Sequence, residues 1–187
     1  MGKVPPLARL EDICSFGRTV AARSKLPLLI RRIILQSNQS ITFIKMPGEE
    51  DTDLGGYDGE VRAGQGNAFV PAGHSVWEFG TSNDIKAKAN SDYDKRTKDS
   101  LGINQHETTF VFVTLGRWAG AQAWSREKNK QGIWKEVRVY TADDILTALE
   151  ETPTVYLWFS KYAGNRLLDY PVWKRGGMTT ENRALIY

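Results

Sequence analysis

A chain of 187 residues with a single cysteine, Cys14, has room for a substantial core but no disulfide framework and no cysteine-based zinc site. Its net charge of +3 is too small to name a partner class, and no apolar run approaches the ~18 residues of a membrane span. The aromatic content, six Trp, seven Tyr and seven Phe, is that of a globular protein. MGKVPPLARLEDI holds no apolar stretch able to act as a signal peptide, so the expectation is a cytoplasmic protein without membrane contact.

In chain order, LARLEDICSFGRTVAARS reads as an amphipathic helix with Leu10, Ile13 and Val20 on one face. LPLLIRRIILQ reads as a second short helix, with Ser24 near its cap and Pro27 in its first turn. SITFIKM alternates and is β-branched, as a strand should be. PGEEDTDLGG is a polar loop, and GYDGEVRAG with AFVPAG predicts two short strands or an irregular hairpin. HSVWEFGT predicts a strand that sets Trp77 and Phe79 on the opposite face to Glu78. Asn83 and Asp84 then open a helix, DIKAKANSDYDKRTKDS.

TTFVFVTL is the strongest strand signal, and its near-continuous apolar run predicts cover on both faces. GRWAGAQAWSREKNKQGIW is basic and less regular, KEVRVYT alternates as a strand, and TADDILTALEET is a helix capped by Thr141. VYLWF is a short aromatic segment, after which the chain becomes irregular. The division expected is one α/β domain over residues 1–160, with 161–187 an irregular extension or the start of a linker to further domains. An all-β, Trp-rich sandwich for carbohydrate or protein binding is the structural competitor, and the helical patterns of 84–98 and 142–151 count against it.

Charge is distributed unevenly. Seven basic residues in the first 35 face only Glu11 and Asp12; Glu49 to Glu60 holds six acids and no base; basic residues return over Lys86–Lys98 and Arg117–Arg138. An acidic patch between basic segments suits a metal centre flanked by a phosphate-binding surface. Phosphodiester hydrolysis needs oxygen ligands for Mg²⁺ or Mn²⁺ and an ammonium group to steady the developing charge. Asp58, between glycines, and Glu78, twenty residues later on an apolar strand, are the candidate metal ligands, with Glu60 a reserve acid. His74 and His106 read as turn residues.

With these residues the chain resembles the PD-(D/E)XK superfamily of restriction-endonuclease-like nucleases, and in SVWEFG with KAxxDYxKR the nuclease-like N-terminal domains of larger bacterial proteins, defence proteins among them. The resemblance covers about residues 10–150 in element order, but in motif only Gly56–Gly80 and the helix that follows. It implies a three-layer core, a mixed central sheet flanked by helices, with the first acid on the second strand and an acid-x-Lys pair on the third. The chain departs from that pattern at Gly80, where the lysine belongs. In some members of such families the lysine is supplied from the following helix, and the resemblance makes Lys88, or else Lys86, the candidate here. The two point about 200° apart, so at most one faces the site.

The function implied is a Mg²⁺- or Mn²⁺-dependent nuclease acting on nucleic acid, DNA before RNA. Asp58, Glu78 and Lys88 (or Lys86) are its catalytic residues, and Lys95, Arg96 and Arg126 its phosphate contacts. The alternative is a catalytically silent nucleic-acid-binding or sensor domain on the same fold; a homodimer stays open. Trp118, Trp124, Trp134 and Trp158 alternate with basic residues as base contacts would, although such aromatics are more often core.

Overall fold

A computed structural model describes residues 8–48, 56–161 and 163. Helices α1 (Leu10–Gly17) and α2 (Ala21–Ser37) lead into strands β1 (Ile41–Lys45), β2 (Gly59–Ala63) and β3 (Gly73–Gly80). Helix α3 (Ile85–Lys98), strand β4 (Thr108–Thr114), helix α4 (Ala121–Lys130), strand β5 (Glu136–Tyr140) and helices α5 (Ala142–Glu150) and α6 (Pro153–Ser160) complete the described chain. The five strands form one mixed sheet in sequence order. β1–β2 and β2–β3 pair antiparallel, whereas β3–β4 and β4–β5 pair parallel, which obliges α3 and α4 to serve as crossovers.

The sheet is covered on both faces. Trp77 and Phe79 of β3, Val111 and Val113 of β4 and Tyr140 of β5 point into one core with α1, α2, α5 and α6. Val76, Phe110, Phe112, Val137 and Val139 point into the other, against Tyr93 of α3 and Trp124 of α4. β4 is therefore buried at all seven positions, as its apolar run implies. The architecture is α/β, with a five-stranded mixed sheet between helical layers. No helix among the described residues is long and apolar enough to cross a membrane.

The departures from the sequence reading have local causes. α1 stops at Gly17, whose Cα lies so close to Leu115 that an added Cβ would sit 2.7 Å from the leucine Cβ. α2 starts at Ala21 and runs through Pro27, which lies inside the helix with a buried ring. Burial of that ring alongside Leu26, Leu29 and Ile30 offsets the lost backbone hydrogen bond. AFVPAG is not a strand: Asn67 caps a turn, accepting from the N–H groups of Phe69 (2.9 Å) and Val70 (2.6 Å) and turning both side chains inward.

α4 gives no apolar helical pattern in the sequence because its inward row, Ala121, Trp124, Ser125 and Lys128, includes two polar residues. The Ser125 hydroxyl donates to the Val137 carbonyl (2.7 Å), and the Lys128 ammonium sits 4.6 Å from the Tyr93 ring centroid. VYLWF is likewise helical, within α6, with Pro153 in its first turn. His74 lies on β3 rather than in a turn. The tryptophans at 124 and 134 are core residues whose indole N–H groups donate to Asn90 and Thr97 of α3 (2.8 and 3.0 Å). Trp118 packs on Phe112 and Trp124, and Trp158 lies under Arg32. Most of the acidic loop, residues 49–55, and the C-terminal extension from 164 onward lie outside the described residues.

Trp77 is fully buried and packs near Phe69 and Tyr140, its indole N–H held by Ser75 Oγ (3.0 Å). Trp77→Ala should therefore cost about 3–5 kcal/mol of stability, measured by urea denaturation. A loss within ~0.5 kcal/mol would contradict this packing.

Candidate functional site

β2 and β3 bring the two expected acids together. The register pairs Gly59 with Trp77, so Asp58, one residue before β2, lies across from Glu78 near the end of β3. The Phe79 N–H donates to Asp58 Oδ2 (2.7 Å), fixing the first acid to the strand that carries the second. Glu78 shares the parity of Val76 and so faces α3.

One row of α3 meets it. Lys88, Asp92 and Arg96 recur every four residues, the spacing that stacks side chains along one helix face. The Arg96 Nε donates to Glu78 Oε1 and its Nη2 to the Gly56 carbonyl, while its guanidinium lies 4.6 Å above the Tyr57 ring. Tyr57 in turn donates its hydroxyl to the Ser100 carbonyl (3.1 Å). One turn back along the helix, the Lys88 ammonium pairs with Asp92 Oδ1 at 2.6 Å. Glu78, Asp92 and Arg96 are 4%, 6% and 5% exposed, whereas the Lys88 side chain keeps 38% of its surface in solvent.

The charges are not balanced. Three carboxylates, Asp58, Glu78 and Asp92, face two cations, Lys88 and Arg96. Burial, and after it the charge of Asp58, pushes Glu78 up to about 8, even though Arg96 pulls the other way. Burial also raises Asp92, against the opposing pull of Lys88. Asp92 Oδ2 is buried and has no hydrogen-bond partner among the described residues. Burial pushes the Tyr57 phenol up to about 12, so it stays protonated and available as a donor.

Such a cluster can take up a proton or a cation. Its donors are carboxylate oxygens, the chemistry that Mg²⁺ and Mn²⁺ select, and the orphaned Asp92 oxygen is a buried acceptor in want of a partner. The fit is in donor type rather than in a finished cage: among the described residues no three His, Cys, Asp or Glu side chains stand grouped to hold an ion.

The other expected site residues lie elsewhere. Lys86 is exposed, as are Lys95 and Arg126, all three on helix surfaces. Arg96, read from the sequence as a phosphate contact, has its guanidinium committed to Glu78 and the Gly56 carbonyl. Glu60 is engaged with His74 (2.9 Å) and Arg62 (3.5 Å), apart from this cluster. Asp92, Arg96 and Tyr57 were the members the sequence reading did not assign to the centre. The signal for the first two was present, since both fall four and eight residues after Lys88.

Gly80 also acquires a reason. A Cβ at this position would stand 2.4 Å from Cζ of the fully buried Phe112, so no lysine can occupy the site without displacing that ring. Comparison with protein-family models, curated proteins and solved structures finds no match to the chain.

Two outcomes follow. Gly80→Lys should lower stability by about 1–3 kcal/mol through overpacking, seen as a reduced urea midpoint; an unchanged midpoint would contradict the contact. Glu78 holds its proton more tightly folded than unfolded, so metal-free stability should fall as pH rises from 4.5 towards 8, the window its raised pKa defines. Glu78→Gln should make that decline shallower, leaving the part that Asp92 contributes, whatever its offset from leaving Arg96 unpaired. Equal slopes for both proteins across that window, from melting curves in EDTA, would contradict the assignment.

Proposed function

We propose that this protein is a metal-dependent phosphodiesterase acting on nucleic acid, DNA before RNA, with a restriction-endonuclease-like core. The observation that carries the reading is the meeting of Asp58, Glu78 and the Lys88–Asp92 pair at the junction of β2, β3 and α3. The element order also agrees: a helical segment, three antiparallel strands, a crossover helix and a parallel strand.

In this reading Asp58 and Glu78 would be the residues to hold the ion, with the Asp92 oxygen left unpartnered among the described residues as a further acceptor. When bound, Mg²⁺ or Mn²⁺ would polarise the phosphate and lower the pKa of its water. Lys88 supplies the positive charge that Gly80 cannot. Its half-exposed ammonium, tethered by Asp92, has protons to donate to phosphate oxygens or to an attacking water. Arg96 fixes the Glu78 carboxylate, and Tyr57 beneath it holds the arginine plane in place. Glu78 would serve as a ligand only without its proton, so affinity for Mn²⁺ should rise with pH up to about 8. Lys95 and Arg126, both exposed, extend positive charge along α3 and α4 for the phosphate backbone.

A second reading, a nucleic-acid-binding domain without cleavage, draws on one observation: the Arg96 Nε already donates to Glu78 Oε1, which occupies one oxygen of that acid.

Nicking of supercoiled plasmid with Mn²⁺ separates the two. Glu78→Ala and Lys88→Ala should each lower the rate by about 10²-fold or more, the contribution of a positioned acid–base or metal-holding group. Lys86→Ala should change it less than ~2-fold, as for a surface residue away from the chemistry. Wild-type protein that binds DNA but never nicks it would leave the second reading; Glu78→Ala at wild-type rate would overturn the first.

A further inference from the structure

A cavity of about 480 Å³ opens at the carboxyl ends of the parallel strands β3 and β4, between α1 and the start of α3. Two of its lining residues place it beside the acid cluster: Gly80 follows Glu78 by two positions on β3, and Ile85 precedes Lys88 by one helical turn. Its volume falls in the range of small-molecule sites and would admit one nucleotide.

Its charged lining comes from separate elements. Arg18 caps the end of α1, and Arg117 follows β4. Both are exposed, and neither makes an ion pair with another described residue. The fields of both reach the Cys14 thiol on the same wall: each guanidinium lowers its pKa, against a larger rise from burial. Glu11 is the opposing charge at the cavity. Two arginines lining one open cavity at the end of a parallel sheet suit a phosphate group, which the guanidinium fork binds in a bidentate manner.

We propose that this cavity is a phosphate-binding subsite receiving one nucleotide of the strand held at the acid cluster. The strand as ligand rests on the phosphodiesterase reading; the preference for phosphate rests on Arg18 and Arg117 alone. Cys14 is the wall's own reporter, being the only cysteine in the chain. An anion between the arginines both shields the thiol and cancels the charges that favour its thiolate.

The test is the rate at which neutral iodoacetamide alkylates Cys14 in the full chain, in EDTA so that no cleavage occurs. A 5′-phosphorylated oligonucleotide and AMP should each slow alkylation, while the 5′-hydroxyl oligonucleotide should do so less and adenosine not at all. The double variant Arg18→Gln/Arg117→Gln, with both changes on exposed residues, should keep its melting temperature. It should weaken the AMP protection constant about tenfold or more, as loss of charge-assisted hydrogen bonds does.

Equal protection by adenosine and AMP, no protection by AMP, or protection that survives in the double variant would overturn the subsite. Protection by AMP with none by the phosphorylated oligonucleotide would overturn the strand assignment in favour of a free nucleotide. Because the assay needs no hydrolysis, a protein that protects normally but never nicks plasmid refutes the enzyme reading alone. One that nicks plasmid but shows no arginine-dependent protection refutes the subsite alone.

Discussion

The contact between Glu78 and Arg96 organises this molecule. It joins the end of β3 to the last turn of α3, and through the Gly56 carbonyl and the Tyr57 ring it also fixes the segment leading into β2. Three pieces distant in sequence are thus held by one guanidinium, buried with its acid at the edge of a hydrophobic core. Such a pair is poor evidence of stability, because desolvating both charges consumes most of what their attraction returns. Its value here is positional. A fork of rigid N–H donors sets where a carboxylate can lie, which a hydrophobic pair of equal volume would not do.

The geometry accounts for the surplus of negative charge. Asp58 is locked to β3 by the Phe79 amide, and Asp92 is delivered by the same helix face that carries Arg96. Each acid is held by the backbone or by a cation, yet together they exceed the positive charge provided. Burial raises Glu78 first and the charge of Asp58 adds to it, while burial also leaves one Asp92 oxygen without a partner among the described residues. Sites that perform acid–base or metal chemistry are where such tension is kept, although ion-pair networks of purely structural kind create it as well.

The fold class was legible because β3 and β4 carry signals that local chemistry enforces. An apolar run buried on both faces, and a strand on which Trp77 and Glu78 must point in opposite directions, admit few architectures. Glu78 stood out for the same reason, since a carboxylate on such a strand must find a partner, whereas Asp58 stood out by its flanking glycines and its spacing from Glu78. What could not be read was the partner. Arg96 and Lys95 are adjacent and chemically alike, and only the angle at which α3 crosses the sheet decides that one is buried and the other bathed in water. The helix at 121–130 was missed because Ser125 and Lys128 are buried through particular hydrogen-bond and cation–π contacts, which hydropathy does not register. Gly80 read as a defect in a motif; in the fold it is the space Phe112 requires.

The metal centre we propose has Asp58 and Glu78, with Asp92, sharing one divalent ion and Lys88 alongside. Anomalous scattering at the manganese edge, from crystals grown with Mn²⁺ at pH 8, addresses it most directly. A single strong peak is expected within coordination distance of the Asp58 and Glu78 carboxylates, with Asp92 or its water as a further ligand. A map without density there, and with Arg96 still closed on Glu78 at saturating Mn²⁺, would contradict it.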